Sequence, residues 1–313
     1  MIDNYGEQIM AIYAFDGTGN AKHADDEKNT NVVKFFKAYD EGYQANGENV
    51  YIRGVGTSEF AVNKLFGAAL GFGGRRRINK ALDVLNANFA KGDRRIDIVG
   101  FSRGAALALE FANEIYEKGI NGEETPTIHF LGLWDTVGSF GVPGNNINLG
   151  YTLTVPRNVE HCFHALSLDE RRYLFPLTRL VQDKYTDSGA LDINEVWFRG
   201  FHSDVGGGNR NLALSSTPLV WMFEKAKGNG IHIPHERLEE QKNLRKPQAA
   251  CKKPHMDQVP FKKRTIQQFD SVHDSVSWRE WAHEPFFKAN NPPKGLRVVN
   301  DHGDVLPGGF KKN

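Results

Sequence analysis

The residues best equipped for chemistry gather around one serine. In Ile96-Asp-Ile-Val-Gly100-Phe-Ser102-Arg-Gly104-Ala, a G-x-S-x-G pattern directly follows a short β-branched run and directly precedes an amphipathic segment. In that context the serine sits on a strained strand-to-helix turn that lifts its Oγ above the sheet. The flanking glycines let strand and helix approach without Cβ clashes. Ala105, Ala106 and Ala108 let the following helix pack closely on its strand. Its N-terminus aims backbone N–H groups and the positive dipole end at developing negative charge. Ser102 is therefore the candidate nucleophile, and the bland alternative is a tight turn with an incidental serine.

A nucleophilic serine needs a base, and the base needs an orienting acid. Asp135 ends the run Ile128-His-Phe-Leu-Gly-Leu-Trp-Asp135. His202 and Asp204 follow Val196-Trp-Phe-Arg-Gly-Phe, and His273 lies in Ser271-Val-His273-Asp-Ser. The chain order Ser…Asp…His is met by Ser102–Asp135–His202, by Ser102–Asp204–His273 and by Ser102–Asp135–His273, and spacing does not choose among them. Taken singly, each aspartate reads as a turn or cap residue and each histidine as structural; their coincidence with the serine turn lifts them. A further Gly-rich turn, Asp16-Gly17-Thr18-Gly19-Asn20, follows a strand-like run. It matches the loop that supplies the second oxyanion-hole N–H, so the hole is assigned to backbone N–H groups of Arg103 and of Gly17 or Thr18, against the reading of a simple tight turn. A phosphate-binding reading is weaker, because the lysine and hydroxyl of a phosphate loop are missing and no complete G-x-G-x-x-G is present. The chemistry requires no cofactor and no metal, and the D-V-G-G-G and D-G-T-G turns lack paired carboxylates.

These residues must be held by alternating elements. Strands are expected at Ile9–Phe15, Asn49–Arg53, Arg95–Val99, Thr127–Trp134 and Asn194–Gly200. Helical patterns fit Thr30–Asp40, Arg75–Ala90, Arg103–Lys118, Val159–Tyr173 and Ser215–Lys227. Short apolar runs alternating with amphipathic segments predict an α/β fold, a mostly parallel sheet with helices on both faces. The candidates then cluster beyond the carboxyl ends of the strands, where such sheets place their chemistry.

Composition bounds the rest. The 313 residues are 40% hydrophobic and 25% charged with a net charge of +1, which argues against disorder and against general nucleic-acid binding. Residues 1–313 read as one domain. Two cysteines, Cys162 and Cys251, rule out a disulfide scaffold. No signal peptide and no transmembrane run is visible, so the chain is expected to be cytoplasmic as synthesised. Residues 236–264 carry nine Lys/Arg against four Asp/Glu, with Pro247, Pro254 and Pro260. They read as a basic, irregular insertion, solvated or else facing anionic headgroups or a partner protein. Phe60–Gly74 is apolar and rich in small residues, followed by Arg75, Arg76 and Arg77. It reads either as a packed helix and turn or as a lid whose arginines meet phosphate.

Four segments together carry a resemblance: Phe15-Asp-Gly-Thr-Gly-Asn, Gly100-Phe-Ser-Arg-Gly-Ala-Ala, Leu133-Trp-Asp-Thr-Val-Gly-Ser and Gly200-Phe-His-Ser-Asp-Val-Gly-Gly-Gly. The sequence resembles the α/β-hydrolase domain family that includes the first class of type VI secretion lipase effectors, bacterial phospholipases delivered into competitors. The resemblance implies hydrolysis of phospholipid acyl esters, with Ser102 as nucleophile, Asp135 as acid and His202 as base. Asp204 then fixes a loop, and Asp204 with His273 is the alternative pair. It also implies a phospholipid substrate at a membrane surface, an immunity protein, a secretion-apparatus carrier and delivery to a target-cell periplasm. The chain is short for such effectors, which fits a minimal catalytic form or a member with another substrate. Competing readings are a cytoplasmic carboxylesterase or thioesterase on small acyl esters and a non-catalytic binding module of the same fold.

Overall fold

The β-branched and aromatic runs form one mixed sheet in the computed structural model, which describes residues 10–43, 47–54, 68–120, 126–139, 150–180, 192–245, 262–278 and 290–311, with backbone alone at 68–72 and 278. Its strands are β1 (Met10–Phe15), β2 (Val50–Ile52), β3 (Arg95–Phe101), β4 (Ile128–Trp134), β5 (Val159–Ser167), β6 (Asp192–Phe198), β7 (Ser271–His273), β8 (Arg297–Val299) and β9 (Val305–Leu306). They lie side by side in the order β2-β1-β3-β4-β5-β6-β7-β8-β9, parallel throughout except for the β8–β9 pair. The helices are α1 (Asn31–Gly42), α2 (Ala68–Ala90), α3 (Arg103–Lys118), α4 (His202–Gly206), α5 (Leu212–Gly228), α6 (His235–Leu244) and α7 (Ser275–Trp278).

Helices cover both faces because the central strands are apolar on both. Ile96, Ile98, Leu131 and Leu133 pack with α2 and α3 on one side. Val99, Phe101, Phe130 and Trp134 pack with α1 and α5 on the other. This is the α/β-hydrolase architecture. The chain leaves β1 for β2 on one side and returns to β3 on the other. That reversal opens a crevice at the carboxyl ends of β1 and β3, where the Asp16–Asn20 turn and Ser102 both emerge.

Three sequence expectations change. Val159–Tyr173 does not form a helix; its first nine residues are β5. Val159, Cys162, Phe163 and Leu166 mimic helical spacing, but β5 is a central strand flanked by β4 and β6. A strand buried on both faces has near-continuous apolar character, and periodicity alone cannot separate it from a helix. The basic stretch 236–264 is not irregular at its start, where α6 docks Leu238 against the second core face; residues 246–261 lie outside the described ones. The proposed lid falls on 60–67, also outside them, and on the start of α2. Two of the three arginines that follow it are engaged internally: Arg75 pairs with Glu110 and Glu114 of α3, and Arg77 bonds the carbonyls of Arg53, Gly54 and Gly73.

Candidate active site

Ser102 occupies the one-residue turn between β3 and α3 at φ 59°, ψ −126°, a strained conformation for a residue with a side chain. The turn is enforced from both sides. Ser102 N–H donates to the Trp134 carbonyl at 3.0 Å, and its own carbonyl accepts from Ala105, Ala106 and Val137. Gly104 is required for packing: a Cβ there would lie 2.3 Å from the Phe15 carbonyl oxygen. Only glycine lets α3 rest on the end of β1.

His202 opens α4 immediately after the β6 loop. Its Nε2 lies 2.8 Å from Ser102 Oγ and its Nδ1 lies 2.5 Å from Asp135 Oδ2. With Nδ1–H donating to the carboxylate, Nε2 is left to accept the serine proton. The ring is held between Phe101 and Phe175, at centroid distances of 4.6 and 5.0 Å. Its backbone N–H donates to Glu170 Oε2. Burial pushes the His202 pKa down, opposed by the Asp135 carboxylate. The imidazole is thereby kept neutral and able to take a proton.

Asp135 stands just past β4 at φ 43°. Its N–H donates to the Ala165 carbonyl, and its Oδ1 accepts the Ser167 N–H at 2.8 Å. Arg264 grips both carboxylate oxygens, with Nη2 at 3.0 Å from Oδ2, and also donates to the carbonyls of Ser167 and Phe175. Burial would raise the Asp135 pKa, but the Arg264 charge and the His202 hydrogen bond outweigh it. The carboxyl is held far below the ordinary carboxylate range.

The structure brings Ser102, His202 and Asp135 into one hydrogen-bonded chain and leaves Asp204 and His273 out of it. Asp204 accepts from the Phe201 N–H at 3.0 Å and from the side-chain amides of Asn209 and Asn211, so it shapes the turn that presents His202. His273 stacks on Phe198, bonds Ser275 at 2.9 Å and faces Asp274 and Asp301. The oxyanion-hole expectation divides. The Gly17 N–H is already committed to Asp16 Oδ1 at 2.7 Å, which removes it as a donor in this arrangement. Thr18 remains, with its Oγ1 buried and unbonded. Arg103 is the first residue of α3, where the N–H has no intrahelical acceptor. Burial pushes its guanidinium pKa down to about 10, and its Nε is unpartnered. Asp16 also accepts the hydroxyls of Thr30 and Tyr51. Burial, opposed by these bonds, raises its pKa to about 6.

Sequence reasoning missed Arg264, Glu170, Ser167 and Phe175. The last three sit on or beyond β5, hidden by its helical misreading. No local signal marks Arg264, 129 residues from Asp135. A cleft of ≈720 Å³ opens beside His202, lined in part by Glu170, Arg172, Phe175 and Arg264. Glu170 is bound through both oxygens by Arg172, which stacks on Phe175. One wall of the cleft is thus fixed to the histidine.

Comparison with known proteins places this geometry. No curated protein matches the chain. Among solved structures, an uncharacterized protein from Pseudomonas aeruginosa is 21% identical with a TM-score of 0.50, covering 74% of this chain and 47% of its own. The Tle1 effector bound to the VgrG spike from the type 6 secretion system is 21% identical with a TM-score of 0.41, covering 64% of this chain and 51% of its own. This chain spans about half the length of these proteins. The model of the family described as "T6SS, Phospholipase effector Tle1-like, catalytic domain" matches residues 10–125 and 113–225. That match takes in Ser102, Asp135 and His202, extends over well over half of the sequence, and shows that the chain belongs to the family of Tle1-like catalytic domains of T6SS phospholipase effectors.

Proposed function

We propose that this domain hydrolyses acyl esters of phospholipids through an acyl-enzyme on Ser102, as the enzymatic part of an antibacterial type VI effector. The Ser102–His202–Asp135 hydrogen-bonded chain carries the reading. His202 Nε2 takes the Ser102 proton as Oγ attacks the ester carbonyl. The N–H groups of Arg103 and Thr18 receive the oxyanion, and Asp135 stabilises the imidazolium. Collapse breaks the ester C–O bond, and His202 hands its proton to the departing lysophospholipid oxygen. Water, deprotonated by the same imidazole, then releases the fatty acid and restores the serine. None of these steps draws on a metal or cofactor.

Membership of the family supports a phospholipid substrate met at a membrane surface, a secretion-apparatus carrier, an immunity partner and action in the periplasm of a target cell. None of the described helices is long and apolar enough to cross a membrane. The experiment compares wild type with Ser102→Ala on phosphatidylethanolamine vesicles and on p-nitrophenyl butyrate, with fluorophosphonate labelling read by mass. Vesicle hydrolysis and labelling that both vanish in the variant are the expected result. Activity on the soluble ester alone would favour a small-ester hydrolase, and undiminished hydrolysis in Ser102→Ala would overturn the serine mechanism.

A further inference from the structure

We propose that His129, Glu160 and His161 form a binding site for a divalent transition metal of the zinc class at the end of the sheet opposite Ser102. His129 is the second residue of β4, and Glu160 and His161 are the second and third of β5. They therefore meet at the amino-terminal edge of two paired parallel strands. One ligand atom from each of the three lies within 4.8 Å of the others. The two imidazoles stand 5.7 Å apart at 81°.

Their carboxylate partners make this more than a coincidence of histidines. His129 Nδ1 lies 2.9 Å from Asp97 Oδ1, and His161 Nδ1 lies 3.1 Å from Asp192 Oδ2. A carboxylate on Nδ1 fixes the Nδ1–H tautomer, orients the ring and leaves Nε2 with a free lone pair, the arrangement behind metal-bound histidines. Asp97 is itself held, with Oδ2 accepting the Tyr39 hydroxyl at 2.8 Å. Glu160 is exposed and can swing to close the site.

The local charge also suits a cation. Three carboxylates, Asp97, Glu160 and Asp192, stand against two cations: Lys225, which interacts with Asp192, and Arg95, which pairs with Asp97 and whose Nη2 lies 3.3 Å from His129 Nε2. A metal would displace that contact, but Arg95 keeps the Asp97 carboxylate and the Asn229 carbonyl. Two imidazoles and one carboxylate, completed by water, fit Zn²⁺ at four-coordination, whereas Ca²⁺ and Mg²⁺ prefer all-oxygen sets. The ligands and their partners sit on β3, β4, β5 and at the start of β6, so the ion would tie four adjacent strands and stabilise the native state by mass action. It is remote from the proposed ester chemistry.

The test is calorimetric titration of chelator-stripped protein with ZnCl₂, paired with thermal unfolding. One equivalent binding with a dissociation constant below about 10 µM, a raised Tm, and no response to Ca²⁺ or Mg²⁺ are expected. Glu160→Gln, at an exposed position that leaves the fold intact, should weaken binding at least tenfold, as should His161→Gln. Ester hydrolysis by Glu160→Gln should stay at the wild-type level. Absence of binding at 100 µM Zn²⁺ would overturn the site, as would unchanged binding in both variants.

Discussion

Replacing Arg264 by glutamine tests how the site is tuned. Arg264 and His202 bond the same Asp135 carboxylate, so the guanidinium and the imidazolium that forms during reaction lie about 5 Å apart. At an effective dielectric near 20 their repulsion is on the order of 3 kcal/mol. Arg264 thus opposes protonation of His202, adding to the burial that already lowers its pKa. Removing its charge, with water entering the vacated space, should shift the acid limb of the kcat/KM profile upward by about one pH unit, or about 1.4 kcal/mol. The sign follows from the proposed mechanism, in which His202 works as the free base, so a more basic imidazole needs a higher pH. Asp135 keeps only its His202 and Ser167 partners, and stability should fall by roughly 3 kcal/mol, the low end for breaking a buried ion pair. Because the Asp135 carboxyl is depressed in the folded state, wild type should lead most above the ordinary carboxylate pKa and converge on the variant as pH falls. The assay is p-nitrophenyl butyrate hydrolysis from pH 5 to 9, with near-UV circular dichroism confirming the fold. Arg264→Lys, which keeps the charge but not the fork, should leave the limb in place. An unmoved or downward-shifted limb in folded Arg264→Gln would refute the reasoning.

Other outcomes follow from the same contacts. His202→Ala should lower kcat by about 10³-fold or more, whereas His273→Gln should retain activity wherever it folds; the reverse result would reinstate the Asp204–His273 pair. Gly206→Ala should reduce kcat, because a Cβ there would lie 1.9 Å from the Phe101 ring that packs on His202; wild-type kinetics would show that the ring yields without moving the histidine. Asp16, raised to about 6 in the fold, binds its proton more tightly folded than unfolded. Its contribution to stability should therefore fall as pH rises from about 4 to about 6. Urea melts of wild type against Asp16→Asn should show a difference that changes across that window, and a constant difference would count against burial as the cause.

Legibility tracked how local each feature is. The serine turn was readable because strand, turn and helix are consecutive and the Gly104 contact falls within the motif. The β1–β3–β4 frame was readable because its apolar runs are short and bounded by turn residues. β5 was not, since a strand apolar on both faces imitates a helix. Short β7, β8 and β9 carry too few residues for any period to emerge. The choice of His202 over His273 depended on which strand end faces Ser102, a matter of sheet order. Gly17 looked like an oxyanion donor until the Asp16 side chain was seen to hold its N–H.

The sequence by itself determined that a serine would stand on a strained turn at the carboxyl edge of an α/β sheet, because that geometry is set by neighbours a few residues apart. Only the tertiary structure decided which acid and base reach the serine, and that Arg264 holds the acid ionised. Those distances and charges belong to residues as much as 129 positions apart, joined only when the sheet brings β3, β4 and β6 into register and the 262–264 segment folds over them.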